Sequence, residues 1–535
     1  MIFSTVFYLS IISLLLAIPA GLDGHRFAMG YFTTALVQGF TYACVITFIT
    51  RGNVKWKRAL LTVVYLLFCT ECFIYFKFGS RFDPNILTMI LQTSWGEVRE
   101  FFGVYMLSAS SLISIIVGVG GYLLLWRAVG LRWRIKFTEQ KWVKWSVGAL
   151  FALGLCMPFI PLPYSMGLNT INRFVSSGLF VAKERAGIDR ITETLDNVTI
   201  TSTPDEKEAP CITLVIGESF SKKHSSLYGY ALPTNPLLDE ELRSGNLYRF
   251  DKATTPAGST HAVMRYLFTL KGCEHKGVET TDAREFVLMP NVFKLAGYEV
   301  RYFDNQYTRS AGGTLDYSCG YFLNPKRIND ACFDYRNTET APFDGDFVEL
   351  HEEYFCKKNK SLNIIHLMGQ HFDPKQRFPA SKFERFSTAD IKRPELSEAQ
   401  RKQVANYDNA TFYNDYVLGQ IIDNYRDSNA IIIYLSDHGE QIYDGATNNF
   451  GRAGSIDDKV FKECIFDVPF MVWCSDKFRE NHRDMCERIS RATSLDICTA
   501  DLPYFLFDIA GIDFNYNFKV KSYISPDYQP HEIKF

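Results

Sequence analysis

The chain has 535 residues, more than one hydrophobic core usually organises, so at least two domains are expected. Lys+Arg 57 against Asp+Glu 59 gives a formal charge of -2, which leaves no bulk basic field and argues against nucleic acid as a partner. Charged residues at only 22% with aromatic residues at 15% exclude a disordered chain.

The composition changes near residue 200. Residues 1–163 hold five apolar stretches, at 2–20, 29–50, 59–78, 104–126 and 145–163. Each predicts a spanning helix, because about 20 residues cover ~30 Å of hydrocarbon. Met1-Ile2-Phe3-Ser4 offers no basic segment ahead of the first stretch, which is therefore read as a retained anchor and not a cleaved signal. Arg51, Lys55, Lys57 and Arg58 lie between the second and third stretches, and Arg127, Arg132, Arg134, Lys136, Lys141 and Lys144 between the fourth and fifth. The alternate loops carry only Arg26 in one and Lys77, Arg81 and Arg99 in the other. That bias puts the N-terminus in the cytoplasm and everything beyond the fifth span outside it.

Residues 164–200 mix Leu168, Ile171, Phe174, Leu179 and Phe180 with Arg173, Lys183, Arg185 and Arg190, a pattern suited to helices in the membrane interface. Residues 201–210 are polar, bounded by proline and aperiodic, and are read as a linker. The expected division is thus 1–163 in the membrane, 164–210 interfacial helices and linker, and 211–535 soluble. In the soluble part, apolar runs at 212–216, 299–303, 363–367, 430–435 and 470–473 alternate with longer segments, which predicts an α/β domain with a mostly parallel central sheet. Ligands in such sheets bind beyond the carboxyl ends of the strands. The residues there are Gly217-Glu218-Ser219, Asp304-Asn305-Gln306, Met368-Gly369-Gln370-His371 and Ser436-Asp437-His438-Gly439-Glu440. Carboxylate oxygen with histidine nitrogen suits zinc, although residues of these types also serve as caps, and Asp437-His438-Gly439 also fits a plain turn.

Val215-Ile216-Gly217-Glu218-Ser219, then Ser226-Leu227-Tyr228-Gly229-Tyr230 and Pro233-Thr234-Asn235-Pro236, resemble the opening motif of the membrane phosphoethanolamine transferases, within the alkaline phosphatase and sulfatase superfamily. His366-Leu367-Met368-Gly369-Gln370-His371 and Leu435-Ser436-Asp437-His438-Gly439-Glu440 resemble two further blocks in the same order. The resemblance covers essentially the whole chain and implies five transmembrane helices followed by a periplasmic sulfatase-like domain. It implies a bacterial inner-membrane enzyme, monomeric and dependent on one or two zinc ions. Phosphatidylethanolamine is the implied donor, and lipopolysaccharide core, lipid A or another envelope glycolipid the implied acceptor.

The block Ala253-Thr254-Thr255-Pro256-Ala257-Gly258-Ser259-Thr260-His261-Ala262 matches the family's nucleophile loop, and its register implies Thr260 as nucleophile. Ser259 is the chief competitor, with Thr254 and Thr255 nearby. The implied metal ligands are Glu218, Thr260, Asp437 and His438, and the implied phosphate-side histidine is His371. His366, on the strand itself, is read as a core histidine. His261 is left outside the catalytic set, and Asn305 and Gln306 are candidate phosphate donors.

The sequence departs from members acting on lipid A in two places. Pro256 and Tyr266 stand where those members carry cysteines around the nucleophile, and Arg452 follows Asp437-His438-Gly439-Glu440 where a histidine is expected. Both departures favour the branch that decorates lipopolysaccharide core sugars, with Arg452 supplying the missing charge. Nine of 13 cysteines lie beyond the predicted spans, and the resemblance favours a Cys319–Cys332 bridge. Within the membrane part, Glu71 is an ionisable group at depth. Thr93 and Glu97 resemble a family segment near the donor head group, with a solvated interfacial helix as the plain alternative. Competing functions are glycerol phosphate transfer of the lipoteichoic acid synthase type and a non-catalytic envelope sensor on the same fold.

Overall fold

The computed structural model describes residues 10–18, 29–50, 53–78, 82, 86–87, 90, 109–130, 149, 170–273, 282–306, 320–445, 449–452 and 458–530. The chain forms two compact units, Met1–Glu184 and Arg185–Phe535.

In the first unit, α1 (Met29–Thr50), α2 (Val54–Phe78) and α3 (Ala109–Gly130) lie on the second to fourth apolar stretches. Residues 10–18 are helical within the first stretch, and the fifth falls outside the described residues except for residue 149. Among the described residues, no helix is long and apolar enough to cross a membrane. Polar contacts join α2 to α3: the Tyr65 hydroxyl donates to the Gly118 carbonyl at 2.7 Å, and the Thr62 and Tyr122 hydroxyls lie 2.7 Å apart.

The boundary between the units falls inside α4 (Thr170–Thr194), so the expected interfacial and linker segment 164–210 is divided between them. Ile200–Ser202 is a short strand paired antiparallel with Asp513–Phe514. Such pairing is made by backbone groups, so it leaves no apolar alternation by which the sequence could reveal it.

The second unit is built on a seven-stranded sheet. Its strands are β1 (Cys211–Gly217), β2 (Leu247–Arg249), β3 (Glu299–Asp304), β4 (Tyr335–Arg336), β5 (Ser361–His366), β6 (Ala430–Ser436) and β7 (Phe470–Cys474), in the spatial order β2-β7-β6-β1-β5-β3-β4. Only β7 runs against the others. The five predicted runs coincide with β1, β3, β5, β6 and β7, and the two strands without a sequence signal are the short edges.

Every residue of β1, β5 and β6 is buried, because the sheet is covered on both faces. Ile212, Leu214, Ile216, Ile431, Ile433 and Leu435 enter one core with α5 (Thr260–Phe268), which supplies Val263, Met264, Leu267 and Phe268. Val215, Ile432 and Tyr434 enter the other with α6 (Glu398–Tyr425), which supplies Tyr413, Val417, Leu418 and Ile421. The start of α6 is fixed by a capping box: Ser397 Oγ accepts from the Gln400 N–H at 3.3 Å, and Gln400 Oε1 accepts from the Ser397 N–H at 2.8 Å.

Candidate active site

Parallel register brings the strand ends level: Gly217 pairs with Ser436, Ile216 with His366, and His366 with Asp304. The next residues along β1 and β6, Glu218 and then Asp437 and His438, therefore leave the sheet side by side. One ligand atom from each of the three lies within 4.8 Å of the others, and all three side chains are fully buried. His438 Nε2 is 3.2 Å from Glu218 Oε1 and 3.3 Å from Asp437 Oδ2.

The turns that hold this geometry are strained or tight. Ser219 has φ 58, unusual for a residue with a side chain. It is held there by its own bonds to both carboxylates, with Oγ donating to Glu218 Oε1 at 2.8 Å and N–H donating to Asp437 Oδ1 at 3.1 Å. Gly369 (φ 50) comes so close to the Glu218 backbone that a Cβ there would stand 2.7 Å from the Glu218 carbonyl oxygen. Asp344 gathers the adjoining loops, accepting from the Met368 and Gly369 N–H groups at 2.9 and 2.8 Å and from Asn305 Nδ2 at 2.8 Å.

Thr260 enters at the first turn of α5. Its hydroxyl donates to Glu218 Oε2 at 2.8 Å and lies 3.3 Å from His438 Nε2. The other hydroxyls of the loop are placed differently. Thr255 Oγ1 donates to the Asp437 carbonyl at 2.5 Å, Thr254 lies in the strand Lys252–Thr254, and Ser259 stands at the cap of α5 without a side-chain capping bond. The N-terminus of α5 also points its positive dipole end at the position of Thr260.

The charges are out of balance. Burial favours a protonated Glu218, yet His438, His371 and Arg452 hold its carboxyl well below the ordinary value. Asp437 is pushed up by burial and by the Glu218 charge beside it. Asp437 Oδ2 is buried without a hydrogen-bond partner. His438 Nδ1 lies 2.8 Å from the Gly439 carbonyl; donating there, it leaves the Nε2 lone pair for the cluster. Two carboxylates, an imidazole nitrogen and a hydroxyl are an oxygen and nitrogen donor set that fits a zinc ion.

Arg452 reaches this centre, with Nη1 2.8 Å from His438 Nε2 and Nε 3.8 Å from Glu440 Oε2. Gln306 Nε2 donates to Glu218 Oε2 at 3.1 Å and to the Leu367 carbonyl at 3.0 Å, so it orients a cluster residue. His371 is electrostatically coupled to Glu218, Arg452 and His438, and burial with the nearby arginines pushes its imidazole down to about 3.

Other expected residues lie elsewhere. Asn305 Nδ2 donates to Asp344 and its Oδ1 accepts from the Ala341 N–H, both at 2.8 Å, so Asn305 braces its loop. His366 pairs with Asp304 at 3.1 Å in the core, as a strand histidine should. His261 stacks on Tyr321 with ring centroids 5.4 Å apart. Glu71 is bound by Arg173 through both carboxylate oxygens, with Thr170 Oγ1 donating at 3.0 Å, so its partner is a protein cation and not a substrate group. Thr93, Glu97 and Cys319 lie outside the described residues, and with Cys319 the expected Cys319–Cys332 bridge; Cys332 itself is buried in the core. Sequence reasoning left out Ser219, Glu440 and Asp344 as site residues. For Ser219 and Glu440 the signal was adjacency to the ligand motifs, whereas Asp344 had none.

Residues 210–512 match the sulfatase family. Phosphoethanolamine transferase EptC of Escherichia coli is 24% identical over 543 residues, covering 95% of this chain and 88% of EptC. Phosphoethanolamine transferase CptA of Salmonella typhimurium is 24% identical over 541 residues, with the same coverage. The integral membrane phosphoethanolamine transferase EptA of Neisseria meningitidis has a similar fold, with TM-score 0.65 and 16% identity, over 98% of this chain and 97% of that one. The C-terminal periplasmic domain of E. coli EptC, solved in complex with zinc, superposes with TM-score 0.52 and 24% identity, over 63% of this chain and 90% of that domain. The chain belongs to the sulfatase family, and the relatives that it matches over nearly its whole length are phosphoethanolamine transferases.

Proposed function

We propose that this protein is a zinc-dependent phosphoethanolamine transferase of the bacterial inner membrane, with Thr260 as its nucleophile. One observation carries the reading: a threonine hydroxyl at a helix N-terminus is hydrogen-bonded into a buried, under-compensated Glu218–Asp437–His438 cluster. Kinship with the named transferases supplies the substrate class.

Glu218, Asp437 and His438 would hold the metal, with the Thr260 hydroxyl beside them as a further ligand. Bound there, zinc lowers the pKa of the hydroxyl and screens the charge of a phosphodiester. Thr260 Oγ1 attacks the phosphorus of phosphatidylethanolamine, its bond to phosphorus forms, and the bond to the glycerol oxygen breaks. The hydroxyl proton ends on the departing diacylglycerol. An oxygen of an acceptor phosphate or sugar, on lipopolysaccharide core or lipid A, then attacks the same phosphorus and frees Thr260. Arg452 carries positive charge beside both steps. His371, kept unprotonated by its surroundings, offers an N–H to a phosphoryl oxygen and does not act as a strong acid. The proposed topology is five spans with a cytoplasmic N-terminus and a periplasmic catalytic domain, acting as a monomer.

Mass spectrometry of envelope glycolipids from cells with and without the gene tests the reading. Loss of phosphoethanolamine additions supports it. Loss of glycerol phosphate additions assigns the lipoteichoic acid synthase type of transfer, and an unchanged envelope with purified protein inert toward both donors assigns a sensor.

A further inference from the structure

Cys273 and Cys498 meet where the nucleophile segment ends. Their sulfurs lie 3.3 Å apart, in a small cluster with Tyr266 and Ala500. Cys498 closes the strand Asp496–Cys498, which pairs in parallel with Lys252–Thr254 so that Cys498 stands opposite Thr254. From Thr254 the chain passes through the loop carrying Ser259, then α5, then out to Cys273. Both ends of the segment that carries Thr260 thus return to Cys498, one by strand pairing and the other by a contact between sulfurs. Tyr266, on α5 itself, packs in the same cluster. Closing from contact to a bond of about 2.05 Å needs only a small side-chain movement.

We propose that Cys273 and Cys498 form a disulfide that clamps the Thr260 segment at both ends. The proposal rests on the reading that this domain faces an oxidising compartment, where such bonds persist. The oxidant is a disulfide, carried by a protein or by glutathione. Cys273 is only partly buried and Cys498 fully so, which makes Cys273 the sulfur that an oxidant reaches first. Its thiolate attacks the donor disulfide, a mixed disulfide forms, and one donor thiol leaves. Cys498 then attacks the Cys273 sulfur and releases the second donor thiol. Two protein thiols have lost two electrons and two protons, and the donor disulfide has become two thiols. The bond fixes the C-terminal exit of α5 and so the orientation of its first turn.

The test uses full-length protein from cell membranes, quenched in acid, alkylated with N-ethylmaleimide and digested with trypsin without reduction. The expected product is peptide 272–276 joined to peptide 492–519, separating on reduction. Cys273→Ser abolishes that product, lowers the melting temperature by several degrees and removes its response to reductant, whereas Cys332→Ser keeps both the product and the response to reductant. Singly alkylated peptides, both from cells and after the folded protein is incubated with oxidised glutathione, overturn the proposal. Closure with glutathione but not in cells upholds the pairing and overturns the compartment assignment, and with it the periplasmic topology.

Discussion

Buried charge is handled in opposite ways in the two units. In the helical unit, Glu71 and Arg173 are 2% and 6% exposed, and the guanidinium answers both carboxylate oxygens, with Thr170 as a further donor. In the sheet unit, Glu218 and Asp437 are completely buried side by side; Ser219, Thr260 and Gln306 donate to Glu218, but one Asp437 oxygen accepts no hydrogen bond. Desolvating a charge costs several kcal/mol unless a partner compensates it. A fully answered buried pair holds structure together, whereas an under-compensated cluster has been kept at a cost because something cationic completes it. Two buried carboxylates in one chain therefore receive different roles from their partners alone.

The comparison breaks most sharply at the nucleophile. Thr260→Ala should lower transfer by about 10³-fold or more while changing stability by under about 1 kcal/mol, since only a hydroxyl and a methyl leave a loop-helix junction. Turnover assays and thermal melts of the same preparation read both quantities. In the helical unit the opposite holds: Glu71→Gln should cost about 3 kcal/mol by stranding Arg173, and Glu71→Gln with Arg173→Met should recover most of it. A double variant no more stable than the single one would remove the structural assignment of the pair.

A second answered pair lies within the sheet unit. His224 Nδ1 is 2.7 Å from Asp408 Oδ1, and Tyr230 donates to the other Asp408 oxygen at 2.8 Å. Burial opposes protonation of His224, but Asp408 and Asp444 raise its pKa to about 9. Because the folded value lies above the unfolded one of about 6.5, the stabilisation is complete below that pH and is lost as pH rises toward 9. Denaturation of wild type and His224→Gln should differ by about 3 kcal/mol near pH 6 and converge near pH 9. A difference independent of pH would show that His224 acts by packing.

The under-compensated cluster makes the contrary prediction. In metal-free protein Asp437→Asn should raise stability by about 1 kcal/mol, because it removes a buried carboxylate crowded against the Glu218 charge, while zinc content and activity fall. Metal analysis and melts in chelator check both halves. The smallest effect belongs to Arg452→Lys, which keeps the charge but loses the planar reach toward His438, with an expected loss of about 10-fold in transfer.

The sheet was legible because β1, β5 and β6 are buried on both faces, which produces uninterrupted apolar runs. Their carboxyl ends could be read as the site for the same reason. The edges β2 and β4 and the strand Ile200–Ser202 were not legible, since short strands stabilised by backbone pairing leave no pattern of side chains. Asn305 and Gln306 are adjacent on one loop, yet one braces it and the other reaches Glu218. Asn305 is turned by Asp344 and Gln306 by Glu218 and the Leu367 carbonyl, all distant in sequence. The contact between Cys273 and Cys498 was equally invisible, because it is set by the parallel pairing of two strands more than two hundred residues apart.

The central claim is tested most directly by the first half-reaction. Purified protein loaded with zinc is incubated with phosphatidylethanolamine alone and digested with trypsin. The account predicts diacylglycerol release and one phosphoethanolamine group on peptide 253–265, located at Thr260 by fragmentation and absent from Thr260→Ala. An adduct on Ser259 or Thr255, or diacylglycerol release by Thr260→Ala at the wild-type rate, would contradict it.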